Sequence, residues 1–570
     1  MISFLESVKQ IVQQDINNLL KFVKRPVITL KIFSVTGDYY TFLVRWILPI
    51  LSIIIFLWCV LPLLRERKTK TIWGNLYLFN DIWFPITSWE SMIGRGKNSD
   101  IMINLPFISR NHAVLTFHDG IWSITDLGSK GGIKVNGAEI EGRQTLNFGD
   151  TITLAGLDLL LLAAETEPLG KISENRRSTT TFTLLLILIY QLLGALQLVV
   201  AKGSAVMPAL PASILLLLLA ECSHYLLLRC YKRNALEMVL LAYFLCGMNM
   251  LIVASAAPNS LYKQLTAILI GMTVYTVIDF LFQKLGQAVK IKYFLMSGAL
   301  VLLVMNLALG ETYFGAKNWI NLGFITFQPM EFVKVAFVLA GTATLDRLLT
   351  TRNMAAFIAF SCACILTLVL IRDFGTALVF FAAFVIMAFM QSGDIRSLAL
   401  LVAAAFFVGI GVVAFVPYVT KRFAVWRRAW QFANTSGYQQ TRTMIAAASG
   451  GLLGVGGGNG YLVNVIAADT DLVFGILCEE WGLLIALVVV SIIVFLGIYP
   501  VLLAGNSRSA FYTISACGAA TILVVQTALN VLGSTDILPL TGVTIPFISN
   551  GGSSMITSWA LLALIRSVKQ

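Results

Sequence analysis

The ionisable residues that could carry chemistry lie in four short blocks between positions 315 and 554. The first block holds Glu331 and Lys334, just after Pro329 and near the start of an apolar run. Proline suits the first turn of a helix, so the carboxylate and the amine are expected on one helical face, three residues apart. Ionisable residues inside an apolar helix are costly and usually face a cavity. The pair is therefore either part of a binding site or a structural ion pair.

The second block, Arg372-Asp373-Phe374-Gly375-Thr376, directly precedes another apolar run. Aspartate in this position is a typical helix N-cap, because its carboxylate accepts hydrogen bonds from the free N–H groups of the first helical turn. A cap explains Asp373 without any role in chemistry, and we favour that interpretation.

The third block is residues 417–470, a long stretch with no run apolar enough to cross a membrane. Its glycine-rich part, 449–460, offers backbone amides that could hold a diphosphate together with guanidinium groups. It lacks the Gly-Lys-Ser/Thr ending of a nucleotide-binding loop. A flexible, solvated loop is the alternative. Against a single acid, Asp469, the stretch carries five basic residues: Lys421, Arg422, Arg427, Arg428 and Arg442.

Asp471 stands where this stretch meets the next apolar run, and the fourth block follows at 538–554. From its position alone, Asp471 is equally compatible with a catalytic carboxylate and with an N-cap of the next helix. The fourth block is interrupted by two prolines and three glycines. Such interruptions predict irregular backbone that is buried in protein or lines a cavity at membrane depth.

The composition indicates which elements position these blocks. Of 570 residues, 58% are hydrophobic and only 12% are charged, which excludes a soluble globular protein. Apolar runs long enough to cross a bilayer recur, and these must be helices because hydrocarbon satisfies no backbone groups. The net charge of +12 comes mainly from cations at the ends of these runs. That placement is typical of membrane topology and anionic headgroups, so no nucleic-acid partner is expected.

The sequence predicts a mainly α, polytopic membrane protein with about thirteen transmembrane helices after an amphipathic segment at 1–42. Basic residues cluster at one end of several predicted spans, and such clusters favour the cytoplasmic side. The clusters are at 65–70, 232–233, 290–292, 347–352 and 566–569. This orientation places segments 311–328 and 417–470 outside. The predicted spans are 43–64, 180–201, 207–230, 235–256, 262–283, 293–310, 329–349, 354–371, 375–391, 395–416, 473–503, 510–531 and 548–567.

Residues 71–165 differ from the rest, because short alternating runs are separated by Asp-Gly, Asn-Gly and Phe-Gly-Asp turns. This pattern predicts a small all-β sandwich on the cytoplasmic side. Its motifs Gly94-Arg95, Ser109-Arg110-Asn111-His112 and Gly128–Gly137 resemble those of forkhead-associated (FHA) domains.

The FHA resemblance implies phosphothreonine binding by Arg95 and Ser109, with Ser129 and Lys130 nearby, and hence a phosphothreonine-containing partner in a Ser/Thr kinase pathway. Guanidinium and hydroxyl donors suit a phosphate of charge near −2. Gly131 stands where the family usually has Asn, which is expected to hold the peptide backbone. A docking module without phosphate recognition is the alternative.

In order, the blocks in the last part of the chain resemble the SEDS (shape, elongation, division and sporulation) family, of the RodA and FtsW type. The resemblance covers residues 235–570 and implies a ten-span core; the spans within 178–231 are then two extra helices. It rests on Trp319-Ile320-Asn321-Leu322-Gly323, Gln328-Pro329, Asp373, Gly375-Thr376-Ala377, Thr470-Asp471, Glu479-Glu480 and the 538–554 block. Such proteins polymerise lipid II into peptidoglycan at the outer face of the bacterial cytoplasmic membrane, normally beside a class B penicillin-binding protein.

By this resemblance Asp471 is the catalytic general base of an inverting transfer. The expected substrate-binding residues are Glu331, Lys334, Lys317, Arg422, Arg442, Thr470 and Ser449. Three places depart from the family pattern: Asn318 replaces a common Arg, Arg442 replaces a Gln, and 465–469 lacks the usual Leu-Pro-Glu-x-His string.

Two other functions stay open, a lipid II transporter and a non-catalytic scaffold that docks a phosphoprotein. The eight cysteines form no Cys-x-x-Cys pair and only three histidines occur, so no protein metal site or disulfide framework is expected. Whether a divalent cation such as Mg²⁺ or Mn²⁺ assists is left open.

Overall fold

A computed structural model describes residues 34–569, apart from short gaps. Residues 1–33, most of the predicted amphipathic segment, lie outside the described residues, as do most of the basic clusters at 65–70 and 232–233. The gaps are 66–71, 79–81, 89, 97–98, 119–120, 141, 164–171, 232–235, 283–291, 314–315, 322–325, 345–350, 393–394 and 505–509.

Long apolar helices make up most of the described chain. Among the described residues, nine helices are long and apolar enough to cross a membrane. Tyr293–Leu309 and Ala355–Ile371 are shorter apolar helices. The protein is thus a multi-pass membrane protein, while the count of thirteen spans stays a prediction. The helices are α1 Ser34–Arg65, α2 Ile172–Lys202, α3 Ala209–Cys230, α4 Leu236–Ala256, α5 Leu261–Leu281, α6 Lys292–Leu309, α7 Pro329–Thr344, α8 Thr351–Ile371, α9 Phe374–Ser392, α10 Ile395–Phe415, α11 Pro417–Val425, α12 Tyr438–Gly450, α13 Val473–Ile476, α14 Leu483–Leu503, α15 Ala510–Ser534 and α16 Gly552–Arg566.

Helix α4 is the centre of the bundle, with every residue from Glu237 to Ser255 buried. It packs against α1, α2 and α3 on the N-terminal side and against α5 and α14. Elsewhere α16 packs on α5, and α15 packs on α9 and α14. The helices that precede position 235 are therefore integral to the core, because they cover α4. In contrast, no residue of Leu398–Phe415 in α10 is buried, and this helix packs mainly on α9 and α11.

Residues 74–163 form the predicted β-sandwich. One sheet has the order β2-β1-β11-β10-β7-β8 and the other β4-β3-β5-β6-β9. Alternate residues point into a shared apolar core, as Ile152 and Leu154 do. The strands are β1 Gly74–Leu78, β2 Ile82–Ile86, β3 Glu90–Gly94, β4 Ile101–Met102, β5 Ala113–His118, β6 Ile121–Asp126, β7 Ile133–Val135, β8 Ala138–Glu139, β9 Arg143–Leu146, β10 Thr151–Leu154 and β11 Leu157–Ala163.

Three regions differ from the predicted pattern. The segment expected as a loop at 311–328 contains a small sheet of β12 Glu311–Tyr313, β13 Ala316–Asn321 and β14 Thr326–Phe327. The stretch 417–470 contains helices α11 and α12 rather than a flexible loop. The expected continuous span 473–503 is divided into α13, a π-helix at Leu477–Trp481 and α14. Gly482 breaks it because its φ of 90° lies outside helical geometry.

Candidate active site

A cavity of about 570 Å³ lies where the four sequence blocks meet. Its walls come from the sheet at 311–328, the turn before α9, helix α11, the segment before α13 and the irregular stretch before α16. The charged residues among those that line it are Arg372, Asp373, Arg422, Asp469 and Asp471. The prediction that 538–554 lines a cavity is confirmed, because nine of its residues, from Pro539 to Ser554, are part of the wall.

Asp471 is held at the cavity by its backbone. Its N–H donates to Ala467 O at 3.0 Å, and its carbonyl accepts from Asn530 Nδ2 at 2.9 Å. The same Asn530 amide donates to Val543 O at 2.6 Å, which ties Asp471 to the irregular stretch before α16. The N-cap of α13 is Leu472, and no side chain caps that helix. The capping interpretation of Asp471 is therefore wrong, and its carboxylate faces the cavity.

The surroundings of Asp471 adjust its proton affinity. Burial raises the pKa of its carboxyl group to about 6, and the negative charges of Asp469 and Asp373 act in the same direction. A hydrogen bond from the Thr470 side chain and the positive charge of Arg422 oppose that rise in pKa. A carboxylate with this pKa is mostly ionised at neutral pH yet basic enough to accept a proton, which is what general base catalysis requires.

Arg422 extends from α11 into the cavity, where its Nη1 donates to Leu540 O at 2.6 Å. Two residues further along, Gly542 has a φ of 72°, and a Cβ there would lie 3.2 Å from Asp471 Oδ2. Glycine therefore permits both the turn and the close approach of this wall to the carboxylate. The arrangement places a cation and a carboxylate on one cavity.

Asp373 is the main cavity residue that the sequence argument underestimated. It caps α9 as predicted, accepting from Thr376 N at 3.0 Å and from Thr376 Oγ1 at 2.9 Å. It also lines the cavity and accepts from Asn318 Nδ2 at 2.7 Å. Burial raises the pKa of its carboxyl group, while the hydrogen bonds from Thr376 and then the charge of Lys334 oppose part of that rise. The predicted N-cap role was correct, but Asp373 also lines the cavity. An N-cap aspartate has the same local sequence pattern whether or not it faces a cavity, so the sequence did not indicate this second position.

Asp469 is a second acid at the cavity that the sequence argument did not select. Its carboxylate accepts from Asn550 Nδ2 at 2.7 Å, and its carbonyl accepts from Asn550 N at 2.9 Å. These bonds fasten the segment before α13 to the segment before α16, since Ser549 Oγ also donates to Thr470 O at 2.7 Å.

Of the seven predicted substrate-binding residues, Arg422 and Thr470 line the cavity. Glu331 and Lys334 form an ion pair of 2.7 Å that is buried within the bundle, where Thr557 Oγ1 also donates to Glu331 at 3.0 Å. The predicted helical pairing is therefore observed, but neither residue is among those that line the cavity.

The remaining three predicted substrate-binding residues also lie away from the cavity lining. Lys317 Nζ donates to Leu307 O at 2.6 Å. The guanidinium carbon of Arg442 lies 5.1 Å from the centre of the Tyr438 ring. Ser449 is exposed and donates to Ala446 O at 2.8 Å.

Two buried acids of the π-helix accept hydrogen bonds from backbone amides at the end of the glycine-rich run and just after it. Glu480 accepts from Gly458 N at 3.1 Å. Glu479 accepts from the N–H groups of Tyr461 and Leu462, both at 2.9 Å. The segment 454–462 is thus anchored to the π-helix, and the diphosphate cradle at 449–460 stays a prediction.

In the β-sandwich, the predicted phosphate-binding residues converge on one loop cluster. Arg95 N donates to Ser109 O at 3.0 Å, and Lys130 N donates to Ser109 Oγ at 3.1 Å. His112 is buried and supports the loop, accepting from Ser109 N at 3.1 Å. The side chains of Arg95 and Lys130 are exposed.

Ser129 and Gly131 complete this cluster. Ser129 Oγ donates to Asp126 Oδ2 at 3.2 Å, so its hydroxyl is turned towards its own loop. A Cβ at Gly131 would lie only 2.2 Å from Ala155 Cβ. The space that a side chain at position 131 needs is thus occupied by Ala155.

Known families match both parts of the chain. The model of the family described as "Cell cycle protein", FtsW/RodA/SpoVE, matches residues 224–570, more than half of the chain. The chain belongs to the FtsW/RodA/SpoVE family. An FHA domain matches residues 92–155 of this FtsW/RodA/SpoVE protein. The two resemblances derived from the motifs are therefore confirmed.

Two curated relatives and one solved structure illustrate the FtsW/RodA/SpoVE relationship. A probable peptidoglycan glycosyltransferase FtsW of Tolumonas auensis is 32% identical over 281 residues, covering 48% of this chain and 73% of the relative. The peptidoglycan glycosyltransferase RodA of Mycobacterium leprae is 28% identical over 334 residues, 54% of this chain and 70% of the relative. A chain from a peptidoglycan synthase complex that coordinates polymerization and crosslinking aligns with a TM-score of 0.50 and 26% identity, covering 58% of this chain and 96% of that one.

Proposed function

We propose that this protein is a peptidoglycan glycosyltransferase that polymerises lipid II, with Asp471 as the general base. The observation that carries the proposal is the position of Asp471, which lines a large cavity together with Arg422. Membership of a family whose curated relatives are peptidoglycan glycosyltransferases supports the same reaction.

In the proposed reaction the Asp471 carboxylate takes the proton of an acceptor sugar hydroxyl. The hydroxyl oxygen forms a bond to the anomeric carbon of the donor, and the bond from that carbon to the lipid diphosphate breaks. An α-linked donor and a β-linked product require one inversion and no covalent enzyme intermediate. Arg422 stabilises the negative charge that develops on the departing diphosphate.

The cavity opens, in this proposal, on the outer face of the bacterial cytoplasmic membrane. The topology predicted from the basic clusters supports that side for 417–470 and the cytoplasmic side for the FHA domain. The aligned peptidoglycan synthase complex supports a crosslinking partner, for which we propose a class B penicillin-binding protein. The FHA domain reads a phosphothreonine-containing protein of a Ser/Thr kinase pathway through Arg95, Ser109 and Lys130.

A lipid II transporter is the second candidate, and one observation favours it. The irregular stretch before α16 lines the cavity, and the broken stretch 473–482 begins two residues after Asp471, which also lines it. Discontinuous backbone of this kind is common at transporter sites. A transporter would need no base at position 471.

Polymerisation of purified lipid II by the purified chain tests the proposal. We expect glycan strands from the native chain and a loss of at least about 100-fold in rate for Asp471→Asn, as for other general bases. Asp536→Asn serves as the matched control, because Asp536 lies outside the cavity lining and its positive φ suits asparagine. Lipid transport without polymer from native and variant chains would support the transporter instead.

A further inference from the structure

The FHA domain is inserted between two helices that pack on each other. Helix α1 precedes the domain and α2 follows it, and the two are close neighbours along the bundle. Near the domain, the rings of Trp58 and Phe182 lie 4.9 Å apart. Towards the opposite ends, Tyr40 OH donates to Leu193 O at 2.8 Å. The two helices thus form an antiparallel hairpin, and the FHA domain is the connection between them.

The far end of this hairpin touches the glycine-rich segment. Gln197 Nε2 donates to Thr41 Oγ1 at 3.0 Å and to Gly457 O at 3.4 Å, so one amide links both helices to the segment. A Cβ at Gly456 would lie 2.6 Å from Thr41 Cγ2, and one at Gly458 would lie 3.0 Å from Ala201 Cβ. The hairpin and the segment are therefore in direct contact.

The contacted segment leads to the cavity. Residues 454–462 are bound to the π-helix, since Gly456 N donates to Glu480 O at 3.0 Å and Val455 N to Glu479 O at 2.8 Å. The chain between this anchor and the π-helix contains Ile466, Thr470 and Asp471, which line the cavity. This stretch begins at the anchored segment and ends at the π-helix to which the segment is bonded. A displacement of the segment would therefore move one end of the wall that carries Asp471.

Gln197 carries a buried acceptor that its bonds to Thr41 and Gly457 do not use. Its Oε1 is buried and has no hydrogen-bond partner in the part of the chain that the structure describes, and the same is true of Trp481 Nε1. One atom is an acceptor and the other a donor, and both residues line one small cavity of about 10 Å³. A small change in the hairpin that lets Gln197 Oε1 accept from Trp481 Nε1 would satisfy both groups. Because Oε1 and Nε2 belong to one planar amide, that change would also move the donor that bonds Thr41 and Gly457.

We propose that occupancy of the FHA domain by a phosphothreonine peptide is passed through the α1–α2 hairpin to the glycine-rich segment, and that Gln197 is the positioning residue that couples them. The inference rests on the proposed function, because it regulates the polymerase through the phosphothreonine reader. It assigns a role to the two helices that flank the FHA domain.

The test uses the full chain in lipid nanodiscs and a peptide library with one fixed phosphothreonine and randomised flanking residues. The unphosphorylated library is the control. Amide hydrogen exchange of residues 453–462 and the rate of lipid II polymerisation are measured with each. We expect the phosphorylated library to change exchange at Gly456 and Gly458 and to change the rate by about fivefold. Unchanged exchange while the peptides are bound, or failure of the phosphorylated library to bind, would overturn the proposal.

Three variants separate coupling from general stability. Gln197→Met and Thr41→Val remove the hydrogen bond with little change in volume, and we expect both to keep the basal rate and lose the response. Thr41→Ser keeps the hydroxyl that accepts from Gln197, so this variant should respond to the phosphorylated library as the native chain does. Native-like responses from both Gln197→Met and Thr41→Val would overturn the role of Gln197. A chain that makes no polymer contradicts the proposed function alone, since the exchange measurement still reports the coupling.

Discussion

Asn318 Nδ2 lies 2.7 Å from Asp373 Oδ2, and this bond joins the small sheet at 311–328 to the start of α9 at the cavity wall. Position 318 commonly holds arginine in the family that the motifs resemble. Here a neutral amide and the two donors of Thr376 satisfy the carboxylate instead. The cavity consequently gains no positive charge from this position.

Replacing Asn318 with Leu should destabilise the protein. The change removes a donor from a buried carboxylate, which costs about 1–3 kcal/mol. Thermal unfolding of the detergent-solubilised chain measures the effect. Asn464→Leu is the matched control, because Asn464 is exposed and bonds only locally to Tyr461 O. Equal melting temperatures for the two variants would show that the Asn318 bond contributes little.

The rate of polymerisation should fall as the pH drops below about 6. The pKa of Asp471 is raised to about 6, and a general base is inactive when protonated, so activity is present above that pKa and lost below it. Initial rates between pH 5 and 9 provide the measurement. A rate that is flat through pH 5 would contradict Asp471 as the base.

Arg422→Gln should shift the loss of polymerisation rate at acidic pH to a higher pH. The charge of Arg422 lowers the pKa of Asp471, so its removal raises the pKa further. The maximal rate should also fall, by about 100-fold, if Arg422 stabilises the departing diphosphate. Arg428→Gln is the control, since Arg428 is exposed and is not among the residues that line the cavity. If the rate of Arg422→Gln falls at the same pH as that of the native chain, the charge of Arg422 does not control the pKa of Asp471.

The buried pair of Glu331 and Lys334 should tolerate removal together better than removal singly. Lys334→Met leaves a buried carboxylate without its cation and should cost about 3–5 kcal/mol, whereas the double variant with Glu331→Gln should recover most of that loss. Thermal unfolding measures stability, and polymerisation is assayed alongside. A stable double variant that makes no polymer would support the predicted contact of Lys334 with the phosphates; full activity would assign the pair a structural role.

The FHA site should accept asparagine at position 131 only after a second change. In Gly131→Asn the new Cβ would lie 2.2 Å from Ala155 Cβ, an overlap that costs about 1–3 kcal/mol. Ala155→Gly removes the overlap, and the φ of 48° at position 155 suits glycine. The double variant should bind the phosphothreonine library more tightly than the native chain, as measured by fluorescence anisotropy. Ala138→Asn, at an exposed position of β8, is the control.

The sequence was sufficient for the multi-pass architecture, the sandwich and the placement of Asp471 next to an apolar helix, because apolar runs and ordered motifs are local signals. It was insufficient for Lys334 and Glu331, whose helical pairing was predicted but whose distance from the cavity lining depends on packing. Asp373 was underestimated since a helix cap satisfies the same local pattern. The break at Gly482 was missed because apolar residues flank it on both sides.

The buried acids of the π-helix bear on how glycine-rich runs are interpreted. Glu479 and Glu480 follow the run by about twenty residues in the chain, yet their carboxylates accept hydrogen bonds from Gly458 N and from the two amides that follow the run. The chain thus supplies carboxyl groups of its own to a motif that resembles an anion receptor. In this protein, amides in and just after the glycine-rich run are bonded by carboxyl groups of the same chain, so the glycine pattern alone does not indicate a phosphate site.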